Sequence, residues 1–180
     1  VDRGIDRPVD YSEDRIDQIM SVIGGDSKTN HDLMPNIVFV QLESFFDVKS
    51  IEHLTFSEDP VPIFTELKET CASGFLTVPS IGAGTANTEF EVITGMSLDY
   101  FGTGEYPYKT ILRKTACETV CYDLRELGYA SHAIHNHSGT FYDRHIVFSS
   151  LGFDTFTSLE YMQNVETNPL GWAKDYVLTA

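Results

Sequence analysis

The run NIVFVQLES, residues 36–44, limits this chain more than any other stretch. Ile37, Val38, Phe39, Val40 and Leu42 form a nearly continuous apolar, β-prone segment. That is the pattern of a parallel strand covered on both faces. Downstream, PIFTELKETCASG reads as a helix ending at Gly74, FLTVPS as a short strand, and Thr88 to Ile93 as a helix stopping near Gly95. The segment TILRKTACETVCYDLRELGY places Ala116, Val120, Cys121, Leu124 and Leu127 at helical spacing, with Gly128 as the C-cap. ASHAIHN reads as a strand and FYDRHIVFSSLGF as a helix with another glycine stop. The order β-α-β-α-α-β-α predicts an α/β domain with a largely parallel sheet and helices on both faces.

The first 34 residues read differently. YSEDRIDQIMSVIGG carries Ile16, Ile19, Met20 and Ile23 at helical spacing, with Gly24-Gly25 as a stop and DSKTNHDLMP as a linker. The expected division is therefore 1–34, an amphipathic helix and linker, and 35–180, the domain. A hydrophobic fraction of 42% with 12% aromatics suits a packed core rather than disorder. The formal charge of −15, from 27 acidic and 12 basic residues, opposes sequence-independent binding to nucleic acid or anionic headgroups. It tolerates cations, and it is also the charge of an ordinary acidic protein.

Cys71, Cys117 and Cys121 are too few and too uneven for a disulfide scaffold, and no CxxC pair points to zinc. Cys117 and Cys121, four apart, are expected to pack in the core. No run approaches the ~20 apolar residues of a membrane helix. VDRGIDRP does not look like a natural start, so an upstream segment is expected.

Ligands of open α/β sheets bind beyond the carboxyl ends of strands. Glu43 lies past the first strand; it is a candidate ligand for a hard divalent cation, or simply a solvated glutamate. In IGAGTANTEF, Gly82 and Gly84 let backbone approach a ligand, and a helix start presents free N–H groups to an anion. Thr85 is then either a nucleophile, weak unless activated, or an N-cap. Thr88 and Glu91 have capping-box spacing. Past the later strand, His135 and His137 share a face, Tyr142 adds a ring and hydroxyl, and Arg144 adds a charged fork suited to phosphate oxygens. His132 is expected to be a satisfied buried histidine.

The motifs PNIVFVQLESFFD, GAGTANTEFEVITG, YPYKTILRK, LGYASHAIHN, TFYDRHIVFSSLGFDTF and GWAKD arrive in an order that resembles the lipoteichoic acid synthase family. These are sulfatase-like phosphoglycerol transferases of the alkaline phosphatase superfamily, and the likeness runs from about Pro35 to Asp175. The resemblance implies an alkaline phosphatase-like fold, incomplete in this chain. It also implies a divalent metal, manganese first with magnesium or zinc as alternatives, held by Glu43 and Thr85. Thr85 matches the family's nucleophile; His135, Tyr142 and Arg144 match its glycerophosphate-binding residues. Tyr142 stands where the family often has tryptophan. His137 stands where a small acidic or amide residue is usual, which puts its glycerol contact in question.

The family's Asp-His metal pair and a further substrate histidine lie downstream of Ala180, and its membrane helices lie upstream. The expectation is therefore the N-terminal part of an extracellular catalytic domain, anchored at the cell membrane, with half the metal site. The implied partners are phosphatidylglycerol or a related anionic lipid and a glycerol-phosphate polymer, with no nucleic acid; an unfinished sheet edge leaves the oligomeric state open. Alternatives are a sulfatase or phosphodiesterase-type hydrolase, a phosphoethanolamine transferase, and an inactive oxyanion-binding fragment. The formylglycine motif C/S-x-P-x-R of dedicated sulfatases is absent, since Cys71 is followed by Ala-Ser-Gly-Phe.

Overall fold

A computed structural model describes residues 4–23, 34–43, 45–80 and 82–178. The chain divides into two compact units, Val1–Met34 with Pro79–Ala180, and Pro35–Val78.

In the first unit, helix α1 spans Glu13–Ile23, with Glu13 and Asp14 favourably placed in its first turn. Its apolar stripe stays outside: Ile16, Ile19, Met20 and Ile23 are all exposed. The anticipated Gly24-Gly25 stop lies outside the described residues. Helix α3, Thr85–Thr94, buries Ala86, Asn87 and Phe90 and ends on Gly95 in the left-handed region, whose N–H bonds the Glu91 carbonyl.

Helix α4, Val120–Glu126, is much shorter than the apolar spacing predicts. Thr119 takes the N-cap role in extended conformation, its hydroxyl accepting from the Cys121 N–H at 3.2 Å and donating to the Leu151 carbonyl at 2.7 Å. A side-chain cap of this kind fixes where a helix starts, so residues 114–119 cannot continue it backwards.

The sheet is a small parallel one. Strand β1, His132–His135, pairs with β2, Thr155–Ser158, in the register His132↔Thr155 to His135↔Ser158. Helix α5, Arg144–Ser150, lies between them in sequence, so the three form a βαβ unit. β2 is a strand that the sequence reading missed.

The core joins α3, the segment 107–112, β1 and α5: Ala86, Phe90, Tyr108, Leu112, Ala133, Val147, Phe148 and Leu151. The ring of Phe148 is its hub, 6.3 Å from Tyr108, 5.0 Å from Phe153 and 4.8 Å from Phe156. Each large side chain buried this way contributes about 1.5–3 kcal/mol. Cys117 packs against the core and Cys121 is buried, as expected, and burial raises the pKa of both thiols. No disulfide joins the three cysteines. Cys117 itself precedes α4, so the two are not neighbours on one helix face.

The second unit carries helix α2, Pro62–Thr70, which opens on proline at its first position. Lys49 Nζ bonds Asp59 and Thr65, each at 2.8 Å, and Lys68 Nζ bonds Asp47 at 2.8 Å. Phe45 and Phe64 meet edge to face at 4.8 Å. α2 ends four residues before Gly74.

Two anticipated strands are corrected. Residues 36–42 and 75–80 join no sheet, and Val38, Phe39 and Val40 are 79%, 66% and 69% exposed. An apolar, β-prone run becomes a strand only when neighbours supply both a hydrogen-bond ladder and cover. The described residues provide neither for these two segments.

Candidate active site

The start of α3 is built by Gly84, not by a side-chain cap. Gly84 sits at φ 93°, ψ 35°, a left-handed conformation that L-residues resist. A Cβ there would also lie 2.8 Å from the Tyr106 hydroxyl oxygen and 3.1 Å from Ser80 Oγ. Thr85 is the first residue of the helix, so the N-cap alternative for it is set aside. The Thr88–Glu91 capping box is not formed either. Thr88 lies inside the helix, and Glu91 Oε1 instead accepts from the Leu98 N–H at 2.7 Å.

One turn into α3, Glu89 meets Arg144, the first residue of α5. The pair is bidentate: Arg144 Nε donates to Oε2 at 3.1 Å, and Nη2 donates to Oε1. Arg144 Nη1 donates to the Phe141 carbonyl at 3.1 Å and lies 3.4 Å from His135 Nε2. Arginine can only donate, so His135 Nε2 is the acceptor and the proton of the neutral ring sits on Nδ1. Burial first, then the positive charge of Arg144, pushes the His135 pKa down to about 4. Tyr108, fully buried beside them, has its pKa raised well above the ordinary value by burial and then by the Glu89 carboxylate. The Tyr108 hydroxyl makes no aligned hydrogen bond among the described residues.

Around this pair lies an aromatic wall. Tyr142 and Asp143 both take left-handed backbone, φ 58° and 57°, at about 1–2 kcal/mol each. That turn lays the Tyr142 ring under the Arg144 guanidinium at 5.3 Å and stacks it on Tyr106 at 6.1 Å, 10° from parallel. Lys109 Nζ sits 5.0 Å from the Tyr106 ring and 5.1 Å from that of Tyr142. His137 packs between Phe141 and Trp172, at 4.9 and 4.6 Å, with its Nδ1 buried and unpaired among the described residues. His132 corrects an expectation: it is exposed, with Nδ1 2.7 Å from Thr155 Oγ1.

Two chains of contact thus tie the start of α3 to the β1–α5 connection. Gly84 touches Tyr106, which stacks on Tyr142, and Glu89 holds Arg144, which faces His135. Glu43 is exposed and belongs to the other unit. Its carboxylate and the Thr85 hydroxyl are both hard oxygen donors, a chemistry that suits manganese or magnesium. Among the described residues no three His, Cys, Asp or Glu side chains group as a metal site.

Residues 35–180 match the sulfatase family. The chain belongs to that family. Its fold is the sulfatase and alkaline phosphatase-like α/β fold, here a small parallel sheet with helices. Members of the sulfatase superfamily typically use a divalent metal. A Rhizobium meliloti (strain 1021) protein assigned to cyclic β-1,2-glucan modification is 33% identical over 97% of this sulfatase-family chain and 26% of its own length. The capsular polysaccharide biosynthesis protein RkpI of the same organism is 30% identical over 72% of the chain and 24% of its own length. The chain spans about a quarter of the length of the curated relatives it matches. Among solved structures, the Streptococcus pyogenes phosphoglycerol transferase GacH, in complex with sn-glycerol-1-phosphate, aligns with a TM-score of 0.56 and 26% identity. That alignment covers 67% of this chain and 32% of GacH.

Sequence reading did not find Glu89, Tyr106, Tyr108, Lys109 or Trp172. The one signal available for Glu89 was its place four residues after Thr85, on the same helical face.

Proposed function

We propose that the whole protein transfers a glycerophosphate group from phosphatidylglycerol to an acceptor hydroxyl through a covalent Thr85 intermediate. The observation that carries this reading is the junction of two elements: the helix that begins at Thr85 holds, one turn later, the arginine that faces His135. A hydroxyl at a helix start and a cation held one turn further along the same helix suit a phosphodiester.

Thr85 Oγ attacks phosphorus, the bond to diacylglycerol breaks, and diacylglycerol leaves carrying a proton. The acceptor hydroxyl then attacks the same phosphorus and returns the Thr85 hydroxyl. One difficult displacement becomes two easier ones. The N–H groups of the first turn of α3 and the Arg144 guanidinium oppose the charge on the phosphoryl oxygens. Neutral His135 offers Nδ1–H rather than a second positive charge. Tyr142 and His137 wall the glycerol side. By the family resemblance Thr85 and, separately, Glu43 are each a candidate ligand for a divalent cation, which when bound would lower the pKa of a coordinated hydroxyl and offset phosphate charge.

The acceptor has two readings. The family resemblance favours a glycerol-phosphate polymer. The 33%-identical relative assigned to cyclic β-1,2-glucan modification favours a glycan hydroxyl. Both acceptors place the catalytic part outside the cell membrane.

The test uses the full-length protein with phosphatidylglycerol and manganese. Diacylglycerol release is expected to vanish in Thr85→Ala, and intact-mass analysis should show a glycerophosphate adduct on Thr85. Normal turnover by Thr85→Ala would sink the nucleophile assignment. An adduct of phosphoethanolamine mass, formed from phosphatidylethanolamine, would move the donor.

A further inference from the structure

We propose that Glu89 is a positioning residue: it fixes which edge of the Arg144 guanidinium is left to face substrate. The inference rests on the phosphoryl-transfer reading above and deepens it.

The Arg144 side chain is 2% exposed and that of Glu89 is 15% exposed. All three guanidinium nitrogens have protein partners: Nε and Nη2 on Glu89, Nη1 on Phe141 O and His135 Nε2. Glu89 therefore occupies the side of the fork made by Nε and Nη2, the edge arginine most often offers to a carboxylate or phosphate. Four of the five Arg144 N–H groups are thus engaged, and what remains for an anion is the outer N–H of Nη2. Glu89 also lies four residues, about 6 Å of helix rise, beyond Thr85 on the same face. A carboxylate there sets the guanidinium against the start of α3 and keeps it from turning its broad edge outward. Tyr142, with its ring 5.3 Å from the guanidinium carbon, limits movement out of that plane.

The experiment compares binding of sn-glycerol 1-phosphate by calorimetry in the full-length protein and in Glu89→Gln, Arg144→Gln and the double variant. Losing one hydrogen bond to a charged group costs roughly ten- to a hundred-fold in affinity. A loss of about that size is expected for each single variant. The double variant should bind no worse than Arg144→Gln alone, because Glu89 acts through Arg144. Losses that multiply in the double variant, or unaltered binding by Glu89→Gln, overturn the proposal.

Glu89→Gln leaves a buried cation unpaired and can cost the fold, whereas the double variant removes both charges. Glu89→Asp keeps the charge and withdraws the carboxylate by one methylene; it is expected to fold and to bind more weakly, and wild-type binding by it also overturns the proposal. The second readout needs no substrate: the Arg144 Nε–H should exchange slowly in the wild type and quickly in Glu89→Gln. Persisting protection in that variant overturns the positioning role. Protection lost together with unaltered glycerophosphate binding by Arg144→Gln would instead overturn the substrate reading and leave the positioning role standing.

Discussion

His135 shows how a single residue is tuned by its setting. Burial and the neighbouring guanidinium hold its pKa near 4, against an ordinary 6.5, so the folded protein keeps it neutral. Between those two values the unfolded chain takes up a proton that the folded chain refuses. Stability therefore falls as pH is lowered from about 6.5 towards 4, and the contribution is fully present above that window. Thermal unfolding followed from pH 7 to 4.5 should show this decline, and His135→Gln should flatten it. An unchanged slope in His135→Gln would assign the decline to other groups. His135 and Arg144 were legible in the sequence because their chemistry is distinctive within ten residues. Glu89 was not, because its meaning comes from a partner 55 residues away.

Helix α3 depends on how it begins. Gly84 supplies a positive φ and leaves room for the Tyr106 hydroxyl. Gly84→Ala adds both strain and a clash, so it is expected to destabilise by about 1–2 kcal/mol or more. Chemical denaturation should detect this, and pairing the change with Tyr106→Phe should recover only the part due to the clash. Full recovery would mean that the backbone angle costs little.

The same helix explains a misreading. Thr88 and Glu91 match a capping box, yet glycine starts the helix earlier, so the pattern fell inside it. α1, α5 and the end of α3 were legible because 3.6-residue spacing and glycine stops are local signals. β2 was not, since TFTS is short and becomes a strand only by pairing with β1. The run 36–42 failed in the opposite sense, with strong local propensity and no ladder.

At the scale of the molecule, burial is unevenly shared. Every buried side chain among the described residues lies between Ala86 and Ser158, and none lies in 35–78. Amide exchange tracks burial and local stability rather than propensity. In the intact chain the amides of Leu112, Val147, Phe148 and Leu151 should therefore exchange most slowly. Those of Val38, Phe39 and Val40 should exchange at rates near those of an open chain, although these residues are strongly β-prone. The exposed run Val38, Phe39 and Val40, together with Phe75 and Leu76, is also the segment expected to drive association, because unpaired apolar backbone templates sheet pairing. Dilution separates the two behaviours. Slow exchange across 36–42 at high concentration that disappears on dilution would trace the ladder to a second copy of the chain. Slow exchange that survives dilution would mean that the segment finds a ladder within its own chain, against the exposure described above.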